Sequence, residues 1–283
     1  MGQIYNIPKI SAVCCTYGRF KCVERVMNCF LAQDYPNKEL IIYNTDTSSP
    51  YNVGQSSFAI TIVNCQNDSI TQKPYTNVGA IRRDALMFAT GDYVVTWDDD
   101  DIFLPHFMSQ AINRMAETGL SSFKPEKSFF YSGDNLRIVM NTLEASVVAS
   151  MDLVRKYGYL LETGKEGLAW YTKMRDNKQL DEHDTYYIPS YCFNWNDGQE
   201  MEAPHKQSGD IDNPNNFNNH KEASKDLVNG RELQVYSVDQ LNQTYKPYFD
   251  FLEKNQDQFP KELIETILVQ LQKVGLDYPI LFW

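Results

Sequence analysis

Residues 10–31 read Ile-Ser-Ala-Val-Cys-Cys-Thr-Tyr-Gly-Arg-Phe-Lys-Cys-Val-Glu-Arg-Val-Met-Asn-Cys-Phe-Leu. The first six residues are apolar and β-compatible, and they predict a short buried strand that stops at a turn-like segment over residues 16–19. From Phe20 onward the apolar side chains recur at three- and four-residue spacing, as they do on one face of a helix. A strand, a loop and a helix in this order form half of a β-α-β unit.

The same alternation continues to residue 101. Apolar runs predict further strands at residues 40–43, 60–63 and 93–97. A predicted helix before the last strand carries on one face the side chains of Ile81, Ala85 and Phe88. Strands that alternate with helices predict an α/β fold with a mostly parallel central sheet flanked by helices, whose ligands bind beyond the carboxyl ends of the strands.

Beyond residue 101 the pattern is mixed, with a predicted strand at residues 146–149 and a predicted helix at residues 168–174. Residues 209–221 are dense in Asn, Asp and Pro and predict a loop, and helical periodicity returns between residues 263 and 274. We therefore expect three parts in the chain. Residues 1–208 form a domain with halves 1–101 and 102–208. An Asn-rich loop follows over residues 209–221, and a C-terminal helical extension follows over residues 222–283.

Composition narrows the class of protein. The 283 residues suit one large domain or two modest ones. The net charge of −11 disfavours a broad electrostatic grip on nucleic acid or an anionic membrane. No apolar run is long enough for a transmembrane segment, and the N-terminus lacks a signal-peptide pattern. Six cysteines without a Cys-x-x-Cys pair indicate buried thiols in a reducing compartment rather than a zinc site. We expect a soluble, cytoplasmic protein.

Four consecutive carboxylates, Asp98-Asp99-Asp100-Asp101, follow Trp97 at the end of a predicted strand. Such a cluster repels itself unless a cation or strong hydrogen-bond donors neutralise it. In extended backbone Asp98 and Asp100 point to the same side, so both can bind one hard divalent ion. Mg²⁺ or Mn²⁺ carrying a diphosphate fits such ligands. A solvated acidic turn is the alternative, and the run alone leaves both open.

Several segments in the same order resemble the family-two nucleotide-sugar glycosyltransferases of the GT-A fold, which transfer sugar from a nucleotide-sugar donor. Residues 10–19 resemble the opening strand and its Thr-Tyr-Asn-Arg turn, with Gly18 in place of Asn, and residues 30–42 resemble the helix end and second strand. Residues 77–93 and 97–101 resemble the Asn-x-Gly-Ala-Ala-Arg-Asn helix and the Asp-x-Asp strand end. The resemblance implies that residues 1–101 bind the donor and residues 102–208 the acceptor.

The resemblance also implies roles for individual residues. Thr16, Tyr17 and Arg19 would border the base, and Arg82 would reach the base or diphosphate, unless Tyr17 is a packed loop aromatic and Arg82 a helix-surface ion pair. Asn44 stands where the family has an acidic base-binding residue, so the preference for uracil is open although a UDP-sugar is the favoured donor. The implied nucleotide-sugar-binding residues are Thr16, Tyr17, Arg19, Asn44, Asp46, Arg82, Asp98 and Asp99, and the implied ligands of Mn²⁺ or Mg²⁺ are Asp98, Asp100 and His205.

In the acceptor half the resemblance is partial. Family members place the general base in a Glu-Asp pair before a helix, and this chain has Glu166 followed by Gly167. Glu166 is therefore the candidate base, with Asp184 or Asp181 as alternatives, unless Glu166 merely favours a helix N-terminus. His205 falls in a segment that resembles the family's late His-x-x-Ser and would bind the metal or diphosphate, or else be an exposed loop residue.

The resulting hypothesis is a metal-dependent, inverting glycosyltransferase whose acceptor is a glycan, a lipid-linked glycan, a protein or a hydroxymethylated DNA base. The net charge weighs against DNA, and a basic rim facing the site would restore that option; its candidates are Lys124, Lys127, Lys156, Lys165 and Lys173. A sugar-nucleotide pyrophosphorylase would show a Gly-rich basic loop, which residues 10–19 lack. A catalytically reduced nucleotide-sugar or carbohydrate-binding module is the other alternative, because Asn44 and Gly167 depart from the family pattern.

Overall fold

The computed structural model of the chain describes residues 7–51, 59–132, 135–163, 166–183, 189–194, 253–254 and 256–273. Two β-sheets and six helices account for most of these residues. The strands are β1 (Ile10–Thr16), β2 (Lys38–Asn44), β3 (Ile60–Asn64), β4 (Tyr93–Thr96), β5 (Ile102–Phe103), β6 (Ser122–Phe123), β7 (Lys127–Ser132), β8 (Asn135–Met140), β9 (Val148–Ser150), β10 (Leu180–Asp181) and β11 (Tyr191–Asn194). The helices are α1 (Phe20–Leu31), α2 (Val78–Leu86), α3 (Phe107–Thr118), α4 (Met151–Tyr157), α5 (Leu168–Asp176) and α6 (Lys261–Lys273).

The larger sheet has the strand order β10-β6-β9-β4-β1-β2-β3. Strand β1 pairs in parallel with β2 on one side and with β4 on the other, and only β9 runs antiparallel to its neighbours. From β1 the chain first adds β2 and β3 on one side of the sheet, and it then crosses back to place β4 on the other side of β1. The direction in which strands are added therefore reverses between β1 and β4. Ligands of open α/β sheets bind at such a switch point, beyond the carboxyl ends of the strands.

The two faces of this sheet bury different helices. Alternate side chains of β1 point to opposite faces, as the two-residue period of a strand requires. Ile10, Ala12 and Cys14 pack with apolar residues of α1, α3 and α6. Val13 packs on the other face with α2, α4 and α5. Because both faces are covered, β1 is a nearly continuous apolar run, as expected for a central parallel strand.

The sequence-based predictions for the first hundred residues are confirmed, with small shifts in the element ends. Trp97 follows β4, but its backbone N–H still donates to the Val13 carbonyl at 2.9 Å. Helix α2 ends at Leu86, so Phe88 does not share its apolar face and is exposed. The six cysteines, all of which lie in the described residues, are free thiols.

Beyond residue 101 the structure contains elements that the pattern did not reveal. Strands β5, β11, β7 and β8 form a second sheet in that order, and α3 and α4 are additional helices. The predicted strand at residues 146–149 is β9, which is shifted to Val148–Ser150 behind a 3₁₀ turn at Glu144–Ser146. The predicted C-terminal helix is α6, and its Leu263 and Ile267 belong to the same apolar core as β1 and α1. The Asn-rich segment 209–221 lies outside the described residues.

Candidate functional site

The four carboxylates form a turn at the carboxyl end of β4, and we call residues 98–101 the acidic turn. The residue before it, Trp97, is fully buried and stacks on Phe103 with 3.9 Å between ring centroids. Phe107 packs edge-on against both rings. Trp97 precedes the turn and Phe103 follows it, and both are fully buried. Close packing of these aromatic side chains therefore fixes the two ends of the turn.

Asp99 points into the protein, where donors from the end of β1 and the following loop bind it. Thr16 Oγ1 donates to Asp99 Oδ2 at 2.6 Å, and Arg19 Nη1 donates to Asp99 Oδ1 at 2.7 Å. Arg25, a buried residue of α1, donates to the backbone carbonyls of Asp99 and Asp100 at 3.3 and 2.9 Å. Two guanidinium groups therefore offset the charge of the turn from the α1 side.

Asp101 connects the acidic turn to the second sheet. Its carboxylate accepts hydrogen bonds from the Tyr191 hydroxyl and, at 3.1 Å, from the backbone N–H of Asn194. Only 1% of its surface is exposed, and burial together with the charges of Asp100 and Asp98 holds the pKa of Asp101 well above its usual range. Asp101 therefore fixes strand β11 against the turn rather than facing a ligand.

Asp98 and Asp100 are the two members of the turn whose side chains reach solvent, with exposed fractions of 26% and 21%. Burial, together with the charge of Asp100, raises the pKa of Asp98 to about 6 against the lowering effect of Arg82. Burial and the charge of Asp99 likewise raise the pKa of Asp100 to about 6 in spite of Arg19. Burial is the largest cause of both raised pKa values, and the neighbouring guanidinium groups of Arg82 and Arg19 offset it only in part.

This pair fits a divalent cation that has other ligands as well. Carboxylate oxygens suit Mg²⁺ and Mn²⁺, and Mg²⁺ is commonly bound through one or two carboxylates plus substrate phosphates. In the described part of the chain, no group of three or more His, Cys, Asp or Glu side chains is arranged to hold a metal ion. Asp98 and Asp100 would thus supply part of a coordination shell. His205 lies outside the described residues.

Arg82 is buried and lies between two acids. Its Nη2 donates to Asp98 Oδ1 at 2.7 Å, and its Nη1 lies 3.0 Å from Glu166 Oε1. Only 7% of its surface is exposed, so the alternative of a helix-surface ion pair is wrong. Its neighbour Arg83 does form an ion pair away from this cluster, with Asp68 and Asp84. Two neighbouring residues of α2 thus pair with different acids, Arg82 at the acidic turn and Arg83 away from it.

A close contact between the start of α2 and residues 160–163 brings Glu166 to Arg82. The Asn77 side chain caps the helix by accepting from the Ala80 N–H at 2.8 Å, and the Gly79 N–H donates to the Glu162 carbonyl at 3.0 Å. A Cβ atom on Gly79 would lie 1.7 Å from the Leu160 carbonyl oxygen, so only glycine allows this approach. The α2 N-terminus is therefore covered by the chain itself.

Asn44 and Asp46, two residues expected to bind the nucleotide sugar, organise the loop after β2. The buried Asn44 side chain accepts from the N–H groups of Gly18 and Asp46, and its amide donates to Asn64 Oδ1 at 2.9 Å. Its hydrogen-bonding capacity is thus used within the chain. Asp46 accepts from the Ser48 N–H at 3.0 Å. Gly18 has φ +65°, and a Cβ there would lie 2.5 Å from Asp46, which explains glycine at this turn.

Other predicted residues fall elsewhere. Asp181 is not a base at this site, because it is buried on β10, three strands away from β4, where Arg114 binds it through two nitrogens at 2.8 and 3.3 Å. Lys124 is not part of an exposed basic rim, because it is buried and pairs with Glu182 at 2.8 Å. Asp184 and Lys165 lie outside the described residues. Tyr17 is half-buried in the loop that follows β1.

Two residues of this region were missed by sequence reasoning. Arg25 lies on the apolar face of α1 among Val23, Val26 and Cys29, and a charged residue in that position was the available signal. Glu144 lies near Arg82, Glu166 and Asp98, whose charges act on its carboxyl group. Nothing in the local sequence around Glu144 indicates this, because the contact depends on how β9 returns to the central sheet.

Comparison with known proteins finds a match over the part of the chain that contains the acidic turn. Residues 11–146 match the family described as Glycosyl transferase family 2. WcaA of Escherichia coli (strain K12), whose name describes a glycosyl transferase of colanic acid biosynthesis, is 33% identical over 109 residues, which are 37% of this chain and 37% of that protein. This chain therefore spans well under two thirds of the length of that relative.

Among solved structures, TarS 1-349 of S. aureus in complex with UDP-GlcNAc superposes with a TM-score of 0.55 and 16% identity, covering 93% of this chain and 85% of that chain. The structure of S. aureus TarS superposes with a TM-score of 0.52 and 13% identity, covering 94% of this chain and 52% of that one. At these identities the likeness concerns the fold, which is the GT-A fold. None of the helices in the described ranges has the length and apolar character that crossing a membrane requires.

Proposed function

We propose, from the premise that residues 11–146 of this chain belong to glycosyl transferase family 2, that the protein transfers a sugar from a nucleoside-diphosphate sugar to an acceptor hydroxyl. The observation that carries the proposal is the pair of partly exposed carboxylates, Asp98 and Asp100, at the carboxyl end of β4 beside Arg82 and Arg19. Such a pair has a use where a diphosphate and its cation must be held together.

In this proposal Asp98 and Asp100 hold Mn²⁺ or Mg²⁺, which when bound offsets the charge of the departing nucleoside diphosphate. Arg82 offers a planar guanidinium to the donor, as either a phosphate or a base partner. Arg19 and Arg25 hold the acidic turn in shape through Asp99 and the backbone carbonyls, so that the two outward carboxylates keep a fixed separation. His205 remains a further candidate ligand.

We propose a UDP-sugar as the donor. TarS 1-349 of S. aureus, which shares the fold, was solved with UDP-GlcNAc. Thr16, Tyr17 and Arg19 lie at the end of β1 and in the loop after it, next to the acidic turn, where the base would lie beyond the strand ends. Because the Asn44 side chain is already saturated by the chain, we assign base contacts to this loop rather than to Asn44.

We further propose direct displacement with inversion at the sugar carbon. The acceptor hydroxyl attacks from the side opposite the leaving diphosphate, so one positioned base and no covalent nucleophile are sufficient. Positioning and charge stabilisation supply most of the effect. The acceptor would be a hydroxyl of a glycan, a lipid-linked glycan or a protein. A DNA acceptor has less support, since Lys124, one of the five candidates for a basic rim, is buried and paired.

A non-catalytic module that binds a nucleotide sugar is the second candidate. It is favoured by one observation, which is that Gly167 occupies the position where the family carries an acid. The two candidates differ in turnover, because a binding module shows affinity for a donor without breaking it.

The test is a screen of the purified chain against nucleotide sugars, each with and without Mn²⁺ or Mg²⁺, followed by thermal unfolding and by release of free sugar. We expect one donor to raise Tm only when metal is present, with slow metal-dependent hydrolysis. Asp100→Ala should lose both effects. Asp152→Ala is the matched control, because Asp152 is an exposed carboxylate on α4 and should keep both.

The outcomes separate the candidates. A metal-dependent rise in Tm without hydrolysis would support the binding module. No response to any donor under either metal would contradict both candidates, and an equal response in Asp100→Ala would remove Asp100 from the metal site.

A further inference from the structure

Gly167 leaves a space that another acidic side chain fills. The residue immediately precedes α5, and its φ of −87° and ψ of −17° are helical values that any residue adopts. Backbone conformation therefore does not require glycine here. A Cβ atom at this position would lie 2.5 Å from Glu144 Cγ and 3.5 Å from Glu144 Cβ. Glycine is needed because the Glu144 side chain already occupies the place of a side chain at position 167.

Glu144 comes from a different part of the chain. It begins the 3₁₀ turn Glu144–Ser146, which leads into β9 next to β4 in the central sheet. Its side chain is half-buried, and burial raises its pKa above the usual range. Arg82 lowers that pKa, whereas Glu166 and Asp98 raise it. These are the groups around the acidic turn, so the Glu144 carboxyl group lies in the electrostatic field of the candidate site.

A second observation points to a polar partner at the same place. Trp170 is buried with 1% of its surface exposed, and its indole Nε1 lies 3.3 Å from the position of a Cβ on Gly167. Within the described chain this N–H has no hydrogen-bond partner. Buried indole N–H groups normally have one. An acceptor atom, either of Glu144 after a small side-chain rotation or of a bound ligand, would satisfy it.

Glu166, the base expected from the sequence, is differently placed. It is 4% exposed, and its Oε1 lies 3.0 Å from Arg82 Nη1. A carboxylate that is buried and held by a guanidinium has little access to an acceptor hydroxyl. In the described part of the chain, no Lys, Arg or His lies within ion-pair distance of Glu144, and its side chain is more exposed than that of Glu166.

We propose that Glu144 is the general base of the transfer reaction and replaces, from the turn before β9, the acid that is missing at position 167. In the step, the acceptor oxygen forms a bond to the sugar carbon, and the bond from that carbon to the diphosphate oxygen breaks. The electron pair of the broken bond leaves with the nucleoside diphosphate, and the hydroxyl proton passes to the Glu144 carboxylate. Glu166 is then a positioning residue that holds Arg82. This inference rests on the proposed glycosyltransferase function.

The test compares donor binding with donor hydrolysis, in which water takes the place of the acceptor hydroxyl. The probes are UDP-glucose, UDP-galactose and UDP-N-acetylglucosamine with Mn²⁺. Glu144→Gln should keep the donor-induced rise in Tm and lose hydrolysis by about 100-fold or more, the typical effect of removing a general base. The exposed Glu117→Gln on α3 is the control and should match the wild-type chain.

Exchange of the acid between the two positions distinguishes a base from a merely structural residue. Gly167→Asp alone should impair folding or activity, because its Cβ would clash with Glu144. The double variant Glu144→Ala with Gly167→Asp removes the clash and returns a carboxylate to the same place, so it should hydrolyse the donor at least ten times faster than Glu144→Ala alone.

The inference is overturned if Glu144→Gln hydrolyses the donor at the wild-type rate. It is also overturned if Glu166→Gln abolishes hydrolysis, with Tm and donor binding unchanged, while Glu144→Gln retains it. A wild-type chain that neither binds nor hydrolyses any nucleotide sugar removes the proposed function itself, and this inference with it. If only the base assignment fails, the wild-type chain still binds and hydrolyses a donor. That result is distinguishable from failure of the proposed function.

Discussion

Arg82 bridges Asp98 and Glu166, with 2.7 Å between its Nη2 and Asp98 Oδ1 and 3.0 Å between its Nη1 and Glu166 Oε1. Asp98 belongs to the end of the central sheet, and Glu166 belongs to the segment that enters α5. One guanidinium thus joins the half of the chain that carries the family motifs to the half that would receive the acceptor. Because Arg82 and Glu166 are buried, the bridge is sensitive to the loss of either of them.

Arg82→Ala should destabilise the fold by about 3 kcal/mol, because it leaves Asp98 and Glu166 with an uncompensated buried charge. Arg82→Lys should recover only part of this stability, since an ammonium group cannot bind two carboxylates as a planar guanidinium does. It should not recover donor affinity, because the proposed donor contact also uses the planar guanidinium. Urea unfolding and donor-induced thermal shifts measure the two effects. Arg83→Ala on the same helix should keep donor affinity. Equal loss of donor affinity in both Ala variants would contradict the assignment of Arg82 alone to the site.

Gly79→Ala should disrupt the site from a distance. Its Cβ would lie 1.7 Å from the Leu160 carbonyl oxygen, so residues 160–163 must move away from α2 and take Glu166 with them. We expect a loss of stability of about 1–3 kcal/mol, as for other overpacked contacts, together with loss of hydrolysis. Gly119→Ala is the control, because its Cβ would meet nothing within 4 Å and only its φ of +68° is unfavourable. That control should cost about 1 kcal/mol and leave hydrolysis unchanged.

Asp84 should make stability fall in acid. Burial raises its pKa, but Arg83, Tyr75 and Ser69 more than offset this and lower it to about 2. A carboxylate with a lowered pKa in the folded state stabilises the protein above its ordinary value near 3.8, and that stability is lost as the pH falls toward 2. Asp84→Asn should cost about 2 kcal/mol at neutral pH and should flatten the change in unfolding free energy between those two pH values.

The check is urea unfolding of both chains at neutral and acidic pH, with the exposed Asp152→Asn as the control for a general loss of charge. If Asp84→Asn were as stable as the wild-type chain at neutral pH, the hydrogen bonds that Asp84 accepts from Ser69 and Tyr75 would not be contributing as the structure indicates.

Tyr191→Phe should destabilise the protein by about 1.5–3 kcal/mol, because the buried Asp101 carboxylate loses a hydroxyl donor and, among the described residues, keeps the Asn194 N–H. The acidic turn would be less tightly fixed to β11, so a weaker donor response is expected as well. Urea unfolding and thermal shifts test both. Tyr157→Phe is the matched control, since the half-buried Tyr157 hydroxyl donates to Gln179 at 2.8 Å outside the site, and its loss should cost no more than about 1 kcal/mol.

The elements of the first hundred residues could be predicted because each has a local signal. Strand β1 is a continuous apolar run, α1 has a regular apolar face, and both are long enough for the period to be recognised. The order of these elements also predicted where the acidic turn would lie, since parallel strands end at the same edge of the sheet. The second sheet gave no such signal, because β5 has only two residues and pairs with β11 from about 90 residues later.

The base assignment shows the same limit at the level of single residues. The Glu166-Gly167 pair predicted where the base would lie along the chain, and in the structure Glu166 contacts Arg82. The space beside Gly167 is nevertheless filled by Glu144, which precedes β9 and has no motif of its own. Likewise, Lys124 was a candidate for an exposed basic rim, but Glu182 and the Asn141 carbonyl hold it in the interior.

The sequence by itself determined the α/β alternation, the acidic turn after β4 and the position of Arg82 on the helix before it, because these depend on short-range periodicity and on motif order. Only the tertiary structure decided which carboxylates face inward and which outward, that Arg82 joins Asp98 to Glu166, and that Glu144 reaches Gly167. Those relationships join residues that are 16 to 84 positions apart in the chain. Burial and charge pairing, which arise only when distant segments pack together, fix them.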